Sequence, residues 1–142
     1  MLYFSKPNST FFLSHILIIS GLSIRLWATG YIGEKARTKE LNAFYRIVSG
    51  PYRILRHPLY IGNFFLVMGT VFLYNPPFWL KIIIILAFLI EYSIIIITEE
   101  EYLKGLPALI IKFSFKKLKF ELSTILIMVV IYLIYFWILS SK

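Results

Sequence analysis

The sequence predicts an all-α fold, a polytopic membrane helical bundle of about four transmembrane helices. Of its 142 residues, 59% are hydrophobic and 18% are aromatic, and the mean hydropathy is +0.79. These values lie well above those of typical soluble domains. The chain also divides into four apolar stretches, and a helix satisfies its own backbone hydrogen bonds in lipid. We therefore expect residues 1–142 to form one integral-membrane domain.

The first two apolar stretches are expected to form two spans. The first runs from about Phe11 to Tyr31, and the second runs from about Pro58 to Tyr74 and is short for a span. Pro58 suits a first helical position because no partner is needed there for its missing N–H. The second stretch ends at Asn75-Pro76-Pro77, a turn signal that a helix does not cross.

The last two stretches complete the bundle. The third runs from Phe78 to Thr98 and forms a helical hairpin with the second, and the fourth, from about Leu122 to Leu139, carries no charge. Arg25 and Glu91 are charges that lie inside spans. Arg25 is near the end of the first span, where its side chain can extend to the headgroups. Glu91 lies deeper in the third span, and its role stays open.

Basic residues are concentrated in two connections. An even number of spans separates these loops, so both lie on the same side of the membrane, and the positive-inside rule makes that side cytoplasmic. The connection before Pro58 carries Lys35, Arg37, Lys39, Arg46, Arg53 and Arg56, and the connection after Thr98 carries Lys104, Lys112, Lys116, Lys117 and Lys119.

Residue usage excludes several kinds of site. The chain has no cysteine, two histidines and no aspartate, so we expect neither a disulfide nor a metal site. The segment from Phe113 to Phe120 mixes lysines with Phe115, Leu118 and other large apolar residues, which is typical of a membrane surface. Membrane lipids are therefore expected partners, and nucleic acid is not.

The segment from Ser49 to Gly69 carries the strongest functional signal. Arg53, Arg56 and His57 lie just before Pro58, where free backbone N–H groups and the helix dipole also favour an anion. The sequence therefore predicts a site for a carboxylate or phosphate group at the membrane surface.

Ordered blocks in this region resemble the isoprenylcysteine carboxyl methyltransferase and phospholipid methyltransferase superfamily. The resemblance spans about Gly21 to Leu103. It rests on Arg25-Leu26-Trp27-Ala28 with Gly30 and Gly33, Gly50-Pro51-Tyr52, Arg56-His57-Pro58-Leu59-Tyr60-Ile61-Gly62-Asn63, and Glu99-Glu100 with Leu103.

This resemblance implies an enzyme that transfers a methyl group from S-adenosylmethionine to a lipophilic acceptor, such as an isoprenylcysteine-like carboxylate or a lipid. It implies Arg56 and Glu100 as catalytic residues, with Arg56 orienting the acceptor. The implied cofactor-binding residues are Tyr52, His57, Tyr60, Gly62, Glu99 and Glu100. The chemistry of the cofactor agrees with this set. Its carboxylate suits Arg53 or His57, its ammonium or ribose suits the glutamates, and its sulfonium suits an aromatic surface such as Tyr52, Tyr60 or Tyr102.

The chain departs from the resemblance after Leu103. Relatives continue with a segment that closes the active site, whereas here about a dozen residues are missing before Pro107, and Ala108 stands where an arginine is frequent. Residues 104–121 thus form a shortened lid, ahead of the last span at 122–139 and after the motif core at about 21–103. We expect the segment Phe113–Phe120 and the last span to replace the missing cover.

Three alternatives stay open. A non-catalytic membrane binding or scaffold paralogue would have kept the fold after losing the lid. A reductase-like relative would use a nucleotide cofactor, although the chain has no Gly-rich dinucleotide loop. The cations before Pro58 and the acidic run after Thr98 could also be a lipid anchor and a solvated helix end.

Overall fold

Helices form most of the chain in the computed structural model, which describes residues 9–33 and 45–141. The helices are α1 (Ser9–Ile32), α2 (Pro51–Ile54), α3 (Pro58–Tyr74), α4 (Phe78–Leu103) and α5 (Leu122–Ser140). A 3-10 helix (Phe115–Glu121) leads directly into α5. The strands β1 (Arg46–Ile47) and β2 (Ala108–Leu109) lie in the two long connections.

Three helical segments are long and apolar enough to cross a membrane, namely Thr10–Ile32, Phe78–Leu103 and Phe115–Ser140. The apolar helix α3 is shorter, with 17 residues. At about 1.5 Å per residue it falls slightly short of a bilayer core about 30 Å thick. The predicted all-α polytopic membrane bundle is confirmed, and the chain is an integral membrane protein.

The turn at Asn75-Pro76-Pro77 joins α3 and α4 into the predicted hairpin. Asn75 adopts a left-handed conformation with φ of 44°, and its N–H donates to the carbonyl of Val71, which ends α3. Lys81 donates a 2.6 Å hydrogen bond back to Asn75. The bounds of α3 match the sequence expectation, but α4 continues past Thr98 to Leu103. Glu99 and Glu100 therefore project from the last turns of a helix.

Glycines bring α1 and α3 into close contact. A Cβ atom on Gly62 would lie 3.0 Å from the carbonyl oxygen of Gly21, and one on Gly69 would lie 2.9 Å from that of Ser14. Small residues allow such backbone approach between membrane helices. Gly62 and Gly69 share one face of α3, so this contact extends along two turns and fixes α3 against α1.

The apolar core lies between α1, α3 and α5, and α4 stands apart from it. The buried core residues are Ile18, Leu66, Leu73, Met128 and Tyr135. By contrast, α4 has no buried residue. It contacts α3 mainly through long side chains, including the rings of Phe64 and Phe88. Most of α4 is therefore available to lipid or to a partner.

The two long connections meet at one end of the bundle. Strand β1 pairs in parallel with β2, with Arg46 opposite Ala108 and Ile47 opposite Leu109. Ser49 accepts a further hydrogen bond from the N–H of Ile111. Lys35, Arg37 and Lys39, which also support the predicted orientation, lie outside the described residues. The common end agrees with both loops lying on one side, and the assignment of that side to the cytoplasm stays a prediction.

Candidate functional site

The predicted basic and acidic blocks contact each other at this end of the bundle. An Arg56 guanidinium nitrogen lies 3.1 Å from a Glu100 carboxylate oxygen, and Nε2 of His57 lies 3.3 Å from the same oxygen. Nδ1 of His57 lies 3.7 Å from Glu99, which accepts a 2.6 Å hydrogen bond from the Tyr60 hydroxyl. We call these five residues the His57 cluster.

Local structure explains how these side chains converge. The one-turn helix α2 ends at Ile54 and is capped by Leu55, whose N–H donates to the carbonyl of Pro51. Arg56 and His57 then occupy the break before Pro58 starts α3. Because α3 and α4 run antiparallel from the Asn75 turn, the start of α3 lies beside the end of α4. The hairpin therefore positions the cluster.

Charge complementarity stabilises this arrangement. Carboxylates at a helix C-terminus oppose the helix dipole, and the cations of Arg56 and His57 offset that cost at the end of α4. The carboxylate of Glu99 and then that of Glu100 raise the pKa of His57 above its usual value, although burial opposes the rise. Arg56 remains 76% exposed, so its side chain is free to exchange Glu100 for a ligand.

Tyr52 contributes a buried hydroxyl without a hydrogen-bond partner among the described residues. Burial, and then the negative charge of Glu99, raise the pKa of Tyr52 far above its ordinary range. The charges of Arg25 and Glu121 also act on this phenol. Tyr52 therefore lies close to the His57 cluster and holds a neutral O–H group that is ready to donate.

A second polar cluster lies beside the first and joins α1 to α5. Arg25 binds the Glu121 carboxylate at two points, through Nε at 3.0 Å and Nη2 at 2.8 Å. Thr29 donates a 2.6 Å hydrogen bond to the same carboxylate. The side chains of Arg25 and Glu121 are only 9% and 1% exposed. This arrangement corrects the expectation that Arg25 extends to the headgroups.

Glu121 was missed in the sequence because it follows a lysine-rich surface segment. The available signal was Arg25 itself, since a charge inside a span usually has a partner in the protein. Arg25 also donates to the side chain of Asn63, whose amide donates a 2.5 Å hydrogen bond to the Tyr92 hydroxyl. The polar contacts thus continue from α1 through α3 to α4.

A cavity of about 570 Å³ opens between α3, α4 and α5 below these contacts. Its polar end is formed by Arg25, Asn63, Tyr92 and Thr124. Its walls are mostly apolar, formed by Leu66, Val67, Val71, Ile84, Ile127, Met128 and Ile131, and they also include Thr70, whose hydroxyl donates to the carbonyl of Leu66. A volume of this size holds a small ligand or a lipid chain.

The other expected site residues take different positions. Gly62 faces α1, where an added Cβ would lie 2.6 Å from Cγ of Arg25. Its small size therefore serves helix packing next to the site. Arg53 is exposed on α2, and Tyr102 is exposed near the end of α4. In the described part of the chain, no group of three or more metal-ligating side chains was found.

The segment after α4 packs mainly on α1. Phe113 covers Gly30, where an added Cβ would lie 2.0 Å from its ring, and stacks edge-on against Tyr31. The N–H of Ser114 donates to the carbonyl of Gly30. This packing leads the chain through the 3-10 helix to Glu121, beside Arg25. Whether the segment acts as the replacement lid stays a prediction.

Comparison with known proteins gives matches to one family and to metal-resistance proteins. A family model described as phospholipid methyltransferase matches residues 9–106. The nickel-cobalt-cadmium resistance protein NccN of Alcaligenes xylosoxydans xylosoxydans is 33% identical over 79 residues, which are 56% of this chain and 34% of that protein. The cobalt-zinc-cadmium resistance protein CzcN of Cupriavidus metallidurans is 34% identical over 80 residues, 56% of this chain and 33% of that protein.

The chain thus spans about a third of the length of these curated relatives. No solved structure matches it. The family match runs from α1 to the segment after α4, which is more than half of the chain, and it ends before the 3-10 helix and α5. The chain therefore belongs to the phospholipid methyltransferase family, within the isoprenylcysteine carboxyl methyltransferase-like superfamily.

Proposed function

We propose that this protein transfers a methyl group from S-adenosylmethionine to a lipophilic acceptor at the cytoplasmic face of the membrane. The acceptor is an isoprenylcysteine-like carboxylate or another lipid. The observation that carries the proposal is the contact of Arg56, His57 and Tyr60 with Glu99 and Glu100. Two separate sequence blocks thereby form one polar site at the end of a membrane bundle whose family is that of phospholipid methyltransferases.

The residues of this site fit the chemical groups of the cofactor. The buried hydroxyl of Tyr52 has no partner among the described residues and is available to donate to a ligand. His57 and Arg56 suit the cofactor carboxylate, and Glu99 and Glu100 suit its ammonium or ribose hydroxyls. In the free protein these acids and bases neutralise one another, so binding exchanges internal ion pairs for pairs with the ligand.

The protein would contribute to the reaction mainly by positioning the donor and the acceptor and by excluding water. When bound, S-adenosylmethionine supplies an electrophilic methyl group, which the acceptor takes by direct displacement. The His57 cluster and Tyr52 fix the donor. Arg56, which is exposed, orients an anionic or polar acceptor, and the apolar helices keep water away. Such positioning alone can lower a bimolecular barrier substantially.

The cavity between α3, α4 and α5 supports a lipophilic acceptor. Its walls are mostly apolar, and its polar end lies at Asn63 and Tyr92. These residues are one or two helical turns from Tyr60 and Glu99, respectively. An acceptor with a long apolar chain can therefore place that chain in the cavity and its polar group toward the His57 cluster.

A non-catalytic paralogue that binds ligand without turnover is the second candidate. It is favoured by the short connection after α4, which passes from Leu103 to β2 at Ala108 within a few residues. We propose that residues 104–121, with α5, form a reduced cover in the same single domain. A reduced cover of this kind leaves Arg56 accessible, and we therefore expect water-soluble acceptors to be methylated poorly.

Methyl transfer tests the proposal. The purified protein in lipid nanodiscs is incubated with S-adenosylmethionine labelled in its methyl group and with a total lipid extract or a prenylated cysteine analogue. Radioactivity in the organic phase that is lost with Glu100→Gln supports the enzyme. Cofactor binding without transfer to any acceptor supports the non-catalytic paralogue. If neither binding nor transfer occurs, the proposal is wrong.

A further inference from the structure

The polar end of the cavity between α3, α4 and α5 carries two hydroxyl groups to which the proposed function gives no role. They belong to Tyr92 of α4 and Thr124 of α5, and both residues are half-buried. Tyr92 lies within the family match at residues 9–106, whereas Thr124 lies beyond it. This end of the cavity is therefore formed partly by a helix that the family match does not include.

Arg25 fixes the direction of the hydrogen bonds at this polar end. A guanidinium only donates, so the Asn63 side chain presents its oxygen to Arg25 and its N–H group to Tyr92. The Tyr92 hydroxyl oxygen accepts that bond at 2.5 Å. The Thr124 hydroxyl oxygen likewise accepts from Nη2 of Arg25 at 3.3 Å. Each hydroxyl group therefore still has its own proton to donate.

In the parts of the chain that the structure describes, neither of these two protons has an acceptor. Thr70 lines the same cavity and differs in this respect, because its hydroxyl donates a 2.8 Å hydrogen bond to the carbonyl of Leu66 on its own helix. The charge of Arg25 is balanced by Glu121, so this end of the cavity does not require an anionic ligand. An uncharged acceptor such as a carbonyl oxygen complements the two O–H donors.

The order of chemical groups along the bundle matches that of a glycerolipid. Tyr92 and Glu99 are about two helical turns apart on α4, or about 10 Å along its axis. The hydroxyl groups thus lie between the His57 cluster and the apolar walls. A diacyl lipid has its ester carbonyls in the same place, between its headgroup and its chains. A prenylated cysteine instead passes from its carboxylate and thioether directly into hydrocarbon.

We propose that Tyr92 and Thr124 form a subsite that donates hydrogen bonds to the ester carbonyl oxygens of a diacyl lipid, whose chains occupy the cavity. The placement of the lipid headgroup at the His57 cluster rests on the proposed function. The subsite itself rests on the cavity and on the direction of its hydrogen bonds. The two hydroxyl groups thereby favour acyl lipids over prenylated ones.

Competition between two lipids tests the subsite without any methyl transfer. The purified protein in detergent is mixed with equal amounts of dioleoyl phosphatidylcholine and its dialkyl ether analogue, which lacks both ester carbonyls. No S-adenosylmethionine is added. Native mass spectrometry then gives the ratio of the two complexes that hold a single lipid. We expect binding of the ester lipid to exceed that of the ether about 2- to 12-fold, the range for one neutral hydrogen bond.

Variants assign this preference to the two hydroxyl groups. Tyr92→Phe and Thr124→Val each remove one donor and should each bring the ratio closer to unity. Thr70→Val is the matched control and should keep the wild-type ratio, because its hydroxyl is already bonded within α3.

A wild-type ratio of unity, or a preference that both Tyr92→Phe and Thr124→Val retain, would overturn the subsite whether or not the protein transfers methyl groups. A preference that these variants lose would support the subsite even if the methyl-transfer assay were negative. That combination would contradict the proposed function alone.

Discussion

The Arg25 guanidinium of α1 and the Glu121 carboxylate at the start of α5 form a buried ion pair, with contacts of 3.0 and 2.8 Å. The family match ends at residue 106, so this pair connects the family core to a helix outside the matched region. Thr29 and Thr124 add hydrogen bonds to the pair. The last span is thereby attached to α1 beside the candidate site.

Loss of one partner in this pair should destabilise the protein strongly. Glu121→Ala leaves the guanidinium of Arg25 buried without its counter-ion, a change that typically costs about 3–5 kcal/mol. Thermal unfolding in detergent should show a clearly lower midpoint. The exposed Glu101→Gln variant is the matched control and should stay near wild type. An unchanged midpoint for Glu121→Ala would contradict the buried pair.

The charge of His57 should make stability depend on pH. Its folded-state pKa is raised by Glu99 and Glu100, whereas the unfolded value is about 6.5. The stabilising effect is therefore complete below the unfolded pKa and is lost as the pH rises through the folded pKa. The difference in unfolding midpoint between wild type and His57→Gln should shrink over this range.

Imidazole NMR gives an independent measure of the same effect. Labelled His57, assigned with the His57→Gln variant, should titrate above the usual histidine pKa in the wild type and lower in Glu99→Gln. A wild-type pKa at or below about 6.5 would show that the carboxylates do not act on the ring as the structure indicates.

Removal of the Tyr52 hydroxyl should weaken cofactor binding without lowering the stability of the free protein. Since this hydroxyl has no partner among the described residues, Tyr52→Phe should leave the free protein as stable as wild type or slightly more stable. If the hydroxyl donates to the cofactor, the same change should weaken S-adenosylmethionine binding about 2- to 12-fold. Unchanged binding together with lower stability would assign Tyr52 a purely structural role.

Reporter fusions test the membrane orientation. Fusions at Lys39 and Lys116 should both report the cytoplasm, and a fusion at Asn75 should report the opposite side. The reason is the lysine and arginine content of the two connections, which meet through β1 and β2. Opposite locations for Lys39 and Lys116 would be incompatible with a common polar end of the bundle.

The sequence predicted the membrane bundle and both ends of α3, because Pro58 and Asn75-Pro76-Pro77 are strong local signals. It also placed the connections before Pro58 and after Thr98 on one side of the membrane. It placed the end of the third apolar stretch at Thr98, because Glu99 and Glu100 interrupt the hydropathy. Glutamate is a good helix former, so the helix continues through these charges, and the contacts of Arg56 and His57 with Glu100 offset their cost at the end of the helix.

Other features were beyond the reach of sequence patterns. The two-residue strands β1 and β2 are too short to show an alternating pattern. Glu121 follows a segment whose composition is typical of a membrane-surface helix. Its pairing with Arg25, 96 residues away in the chain, has no local sequence signature. The cavity depends on how far α4 stands from α5, which is a property of packing and not of either helix alone.

Cofactor binding tests the central claim most directly. Affinity for S-adenosylmethionine is measured by isothermal titration in nanodiscs for wild type, His57→Ala, Glu100→Gln and a Lys116→Ala/Lys119→Ala control, in which both lysines are exposed. We expect measurable wild-type binding, a loss of about 10- to 150-fold in each of the first two variants, and a control within about twofold, since a surface lysine removed from the site adds little. Wild-type binding that survives both site variants, or that is reduced as much by the lysine changes, would contradict a cofactor site at the His57 cluster.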